Sequence, residues 1–258
     1  MQRALVAGIF VSVTCAVLGV FLVLKKDAMI GHGLSHVTFG GVALGLLLDV
    51  DPFYSALVVS VVSAVGILKL KERAGLHGDT GIGIVSSVGM AFGVLVASVA
   101  GNFNVDLFGY LFGSILAITS REVWVAVLLT GVVLSFVAFF YSRLLYVTFD
   151  PESAQVAGIK TKRINELLAV LTAMVVVVGM KIVGLLLVAA LVVIPAAAAL
   201  QVARTFWQAI LISSVVAVCS LFFGLYLGFA WDWPVSGNIV MITSLFFLIL
   251  FFVRQFRR

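Results

Sequence analysis

From Ala4 to Leu24 the chain runs 21 residues without a charged side chain, and then meets Lys25-Lys26-Asp27. The same alternation of a long apolar run and a short charged connection recurs to the C-terminus. A helix needs about 20 apolar residues to cross the hydrocarbon of a bilayer. Candidate spans are 4–24, 30–48, 53–70, 82–100, 123–141, 166–182, 183–203, 206–229 and 237–253. The composition agrees: 63% of residues are hydrophobic and 10% charged, against roughly half and a quarter in soluble domains. The expected fold is an all-α polytopic membrane protein, a bundle of eight to nine transmembrane helices in a single domain over 1–258. The 166–203 region is the hardest to divide, because only Lys181 interrupts it. "VDLFGYLFGSILAI" (105–118) is too short to cross and reads as re-entrant or interfacial.

The first run is longer than a signal-peptide core and no small-residue cleavage site follows it, so it reads as a retained span. The net charge of +5 does not point to nucleic acid. Lys25, Lys26, Lys69, Lys71, Arg73, Arg143, Lys160, Lys162, Arg163, Arg204 and the terminal arginines sit in alternate short loops, where the positive-inside rule places them in the cytoplasm. The loops with Asp49, Asp51, Asp106 and Asp232 then face outward, with the N-terminus outside and the C-terminus inside. Cys15 and Cys219 lie within apolar runs and read as packing residues. There is no GxxxxGK[ST] loop, no HExxH and no Ser/His/Asp arrangement, so the chain reads as a non-enzyme whose energy source, if it transports, sits on another chain.

Two features call for a function. His32 and His36, in "MIGHGLSHVTFGGVALG", lie four residues apart in a span, hence one above the other on one helix face. Ionisable groups in spans face cavities or bundle interiors, and His at i and i+4 is a chelating spacing for zinc-type metals. The competing reading is interhelical hydrogen bonding shared with Ser35 and Thr38. Two ligands do not complete a tetrahedral site. Asp232, before the helix-breaking Pro234 and Gly237, is the candidate third ligand, while Asp49 and Asp51 could line an outer cation vestibule. His77 reads as a surface residue and Pro195 as a helix kink. The second feature is "DPESAQVAG": Asp150 as N-cap, Pro151 at the first position, Glu152 in the first turn and Gly158 as the stop. That is a short capped helix in a cytoplasmic loop, either a connector or a docking element.

Taken together, "MIGHGLSHVTFGGVALG", "LFGYLFGSILAI", "FDPESAQVAGI", "VGLLLVAALVVIPAAAA" and "WPVSGNIV" resemble the permease subunits of bacterial zinc/manganese/iron ABC importers, over about residues 3–250. The resemblance implies a homodimeric multi-pass protein of the cell membrane. It also implies two cytoplasmic ATP-binding subunits and an extracytoplasmic metal-binding protein that delivers the ion. No permanently bound cofactor is implied; zinc, manganese or iron is cargo. The 150–158 segment, with Asp150, Glu152, Ala154 and Gly158, matches the family's ATPase-coupling helix. His36 matches the family's histidine, whereas His32 stands where an acidic residue is usual. Asp232 matches an acidic position before the Pro-x-x-Gly stretch. Nitrogen for oxygen at position 32 favours zinc, or iron, over manganese. The rival classes are an intramembrane metalloenzyme or haem protein, disfavoured because two histidines one turn apart cannot take opposite haem faces, and an ATPase-independent channel or carrier, which has no use for a docking helix.

Overall fold

The computed structural model describes residues 2–75, 79–99 and 118–256. His77, Asp106 and nearly all of the 105–118 stretch lie outside them. The helices are α1 (Gln2–Leu24), α2 (Ile30–Leu47), α3 (Pro52–Arg73), α4 (Thr80–Val99), α5 (Ser120–Phe149), α6 (Pro151–Val156), α7 (Thr161–Val183), α8 (Leu185–Val202), α9 (Phe206–Trp231) and α10 (Val235–Phe256). All but the short α6 are long and apolar enough to span a membrane, nine among the described residues. The expected all-α bundle is therefore what the chain forms.

The helix ends follow local chemistry. Asp51 caps α3, its carboxylate accepting the Phe53 N–H at 2.9 Å with Pro52 at the first position. Thr119 and Glu122 form a capping box at the start of α5, the Thr119 N–H donating to Glu122 Oε2 at 2.8 Å. The 166–203 stretch divides at Gly184, whose φ of 92° closes α7 and opens α8 across one residue. A left-handed φ is open to glycine at no steric cost. Lys181 is thus not the break; it sits in the last turn of α7 and reaches the Glu122 carboxylate at 3.0 Å. Helix α5 extends to Phe149 and α7 begins at Thr161, so both are longer than their apolar cores.

Two sub-bundles share α7. In one, α2 packs between α3 and α4; in the other, α1 packs against α8 and α9, with α10 on α8 and α9 and α5 on α1. Lipid is as apolar as leucine, so membrane helices associate by close packing and hydrogen bonds rather than by escape from water. Glycine supplies the closeness. A Cβ on Gly40 of α2 would stand 2.7 Å from the Gly89 carbonyl oxygen of α4. A Cβ on Gly19 of α1 would stand 1.9 Å from the Val192 carbonyl oxygen, one turn before Pro195 inside α8. Hydroxyls add cross-links: Thr14 donates to Thr130 of α5 at 2.8 Å, and Thr38 meets Ser60 of α3 at 2.6 Å.

One end of the bundle gathers basic loops. Lys71 pairs with Asp27, Lys162 with Glu72 at 2.9 Å, Lys25 bonds to Asn165, and Arg254 donates to Gln201 at 2.7 Å. Burial lowers the Lys25 pKa below the ordinary lysine value, Asp27 opposing the shift and Lys71 adding to it. The opposite end carries Asp51, Tyr54, Arg121, Glu122 and Lys181, which share one cavity. This sorting agrees with the loop pattern expected from the positive-inside rule.

Two outcomes follow. Gly19→Val should lower the melting temperature of the purified chain much more than Gly131→Val, where an added Cβ meets nothing within 4 Å; equal melting temperatures would contradict the backbone contact at Val192. In a Cys15- and Cys219-free background, a cysteine at exposed Val50 should react with an impermeant thiol reagent applied outside cells, and one at exposed Ala74 should not. The reverse labelling would invert the orientation.

Candidate metal-binding pair and coupling helix

His32 and His36 are the third and seventh residues of α2, and both are half-buried. Their Nε2 atoms lie 3.1 Å apart, with ring centroids 4.6 Å apart and planes at 89°. Two nitrogens bound to one tetrahedral ion at zinc-like distances are separated by about 3.3 Å. The pair is therefore close to the spacing at which both lone pairs point to one ion. In the absence of an ion, one ring must donate and the other accept, which fixes opposite tautomers.

The hydroxyls expected to share the imidazoles do not. Ser35 donates to the Gly31 carbonyl at 2.9 Å, and Thr38 donates to the Leu34 carbonyl at 2.7 Å while meeting Ser60. Each bonds back to its own helix, sharing the i−4 carbonyl with the backbone N–H. Among the described residues, the hydrogen-bond partner of each imidazole is the other. The packing that holds them is dense: Gly33, between the two, leaves no room for a Cβ against Ile82 of α4, at 2.5 Å.

Asp232 is placed elsewhere. It is the C-cap of α9, left-handed at φ 52°, exposed, and between Trp231 and Trp233, whose rings are 5.1 Å apart. Among the described residues no three His, Cys, Asp or Glu side chains converge to hold an ion. One chain thus brings together His32 and His36 and leaves Asp232 apart. The break at Pro234 does turn the chain, and it leaves the Asp232 side chain exposed on the single chain. Asp49 is likewise exposed and left-handed, and Asp51 is engaged as a cap.

The short helix forms as its caps require. Asp150 accepts the Ser153 N–H at 3.0 Å, and the Ser153 hydroxyl and N–H hold the Asp150 carboxyl below its ordinary pKa. Gly158 ends the segment at φ 78°. Glu152 is exposed and Val156 is 91% exposed, whereas Ala154 is fully buried in the chain's own core. Ala154, expected on the docking face together with Glu152, is instead the anchor that seats α6 on α5 and α7. The outward face is Glu152 and Val156. Sequence reading also missed the Lys181–Glu122 pair; its signal was the isolated charge in an apolar run, a group that must find a partner.

The ABC 3 transport family model matches residues 1–254. The manganese import system permease protein ScaB of Streptococcus parasanguinis is 33% identical over 258 residues, all of this chain and 92% of ScaB. The high-affinity zinc uptake system membrane protein ZnuB of Haemophilus influenzae is 34% identical over 252 residues, 98% of this chain and 97% of ZnuB. The structure of PsaBC from Streptococcus pneumoniae in complex with Fab superposes with a TM-score of 0.86 at 32% identity, over 97% of this chain and 90% of that one. The chain belongs to the ABC 3 transport family. It is a multi-pass membrane permease of the metal ABC importer type.

Proposed function

We propose that this chain imports Zn(II) across the cell membrane as a homodimer, driven by two cytoplasmic ATP-binding subunits and loaded by an extracytoplasmic metal-binding protein. The observation that carries the reading is the 3.1 Å Nε2 pair on one face of a half-buried helix. Imidazole nitrogen suits zinc, whereas manganese prefers oxygen, and the acidic residue usual at position 32 is here a histidine. Relatives named for manganese and for zinc are equally similar, so the lean to zinc rests on the donor set. Manganese or iron import is the second reading.

One chain contributes two nitrogens, and a tetrahedral ion needs four ligands. A second copy related by a two-fold axis would contribute the other two. In this arrangement Asp232 acts at the outer mouth, where the ion arrives, and the imidazole pair takes it within the membrane. Release is as necessary as binding, so the imidazole pairs of the two copies must move apart when the ATP-binding subunits move α6 through Glu152 and Val156. A channel or a carrier without an ATPase would leave that capped helix without a task.

Proteoliposomes holding the assembled importer test the site. His36→Ala should lower zinc uptake by more than about tenfold, since even outer-shell partners of a metal ligand are worth 10–100-fold. His32→Asp should keep transport and move preference towards manganese. Protonation removes the lone pair that binds metal, so uptake should fall as the medium is acidified. Normal zinc uptake by both His32→Ala and His36→Ala would show that the site lies elsewhere. For the docking helix, Gly158→Val should leave the chain assembled but uncouple ATP hydrolysis from uptake, because a β-branched residue resists φ 78°. Unchanged coupling would remove α6 from the transmission path.

A further inference from the structure

A cavity of about 380 Å³ opens at the end of the bundle opposite the basic loops, between the starts of α3 and α5 and the last turn of α7. That volume lies in the range of small-ligand pockets, about 300–1,000 Å³. Its walls include Phe53, Val178 and Ile182; its charged lining is Asp51, Arg121, Glu122 and Lys181. Two of those charges already neutralise each other. Lys181 pairs with Glu122 at 3.0 Å and lies 5.4 Å over the Phe53 ring.

The other two charges are under-used. Among the described residues, the one polar partner of the Arg121 guanidinium is the Tyr54 hydroxyl, at a long 3.4 Å. Asp51 gives one carboxylate oxygen to the Phe53 N–H, and its second oxygen has no partner there. So a cation with spare donors and an anion with a spare acceptor lie on the rim of one apolar slot. The slot sits at helix ends, where lipid headgroups would lie, with the half-exposed Tyr54 in its wall, a residue enriched at membrane interfaces.

We propose that this cavity binds a zwitterionic phospholipid with a primary amine, phosphatidylethanolamine in chemistry. Its phosphate accepts from Arg121 and Tyr54, its ammonium donates to Asp51, and one acyl chain lies along Phe53, Val178 and Ile182. A divalent cation does not fit, since Lys181 and Arg121 repel it. A purely anionic lipid satisfies Arg121 and leaves Asp51 facing like charge. The lipid would fill the gap between α3 and α5, each of which packs on α7. This inference is independent of which metal is carried.

Native mass spectrometry of the purified full chain, titrated with defined lipids, tests it. Phosphatidylethanolamine should be retained at lipid concentrations about tenfold lower than phosphatidylcholine, whose quaternary amine has no N–H, because a hydrogen bond to a charged group is worth about that factor. Arg121→Gln should weaken retention of phosphatidylethanolamine and phosphatidylglycerol alike. Asp51→Asn, which preserves the helix cap, should erase the preference for phosphatidylethanolamine over phosphatidylglycerol. Both residues are exposed, so neither variant disturbs the packing. Val125→Trp, which fills the slot and leaves the charges in place, should abolish selective retention. Soluble glycerophosphoethanolamine should compete poorly; competition as strong as the lipid's would overturn the acyl-chain site in favour of a headgroup-only one. Equal retention of all three lipids, unchanged in Arg121→Gln and Asp51→Asn, would overturn the proposal outright.

Discussion

Hydrocarbon offers no hydrogen-bond partners, and nearly every feature of this protein answers to that. Backbone groups are satisfied within helices, and hydroxyls such as those of Ser35, Thr38 and Thr130 bond to carbonyls of their own turn. Against that background, two imidazoles stand 3.1 Å apart on one span, each the other's partner among the described residues. They occupy a position where a polar group with nothing further to bind is costly. In the proposed function a metal ion completes them.

The same constraint explains how the pair is held. α2 is pressed between α3 and α4 at glycine contacts so tight that added methyl groups collide with backbone at Gly40, Gly41 and Gly45. Dense packing on those faces turns the histidines toward the remaining one. A helix gripped this way moves as a rigid piece, which suits a site that must open and close by displacement rather than by local melting. At the basic end, the anchor of α6 is Ala154, fully buried, while Glu152 and Val156 are free to be gripped. In the proposed coupling, force applied there would reach α5 and α7, which pack on α6, and α7 touches α2.

Much of this was legible in the sequence because the membrane simplifies the code. Apolar runs of span length and basic loops alternate, and the helices fall where those runs fall. The Asp150, Pro151 and Gly158 signals marked α6 because capping chemistry is local. What failed to show was tertiary. Ala154 reads as one small residue in an exposed loop, and only packing against α5 and α7 makes it an anchor. Lys181 reads as a gap between spans, yet the break is Gly184, and the lysine reaches across to Glu122, 59 positions earlier. Asp232 reads as a carboxylate aimed inward by Pro234, whereas the turn leaves it exposed on the single chain. Convergence of ligands from separate helices, and from separate chains, is not encoded in any one stretch.

In the proposed function His32 and His36 bind the transported ion together. X-ray absorption at the zinc edge, on the assembled importer trapped with zinc in the membrane, reads the donor set directly. The account predicts a shell dominated by imidazole nitrogen at about 2.0–2.1 Å, lost when His32 and His36 are both replaced by alanine. An oxygen-only shell, or a nitrogen shell that survives the double replacement, would contradict it.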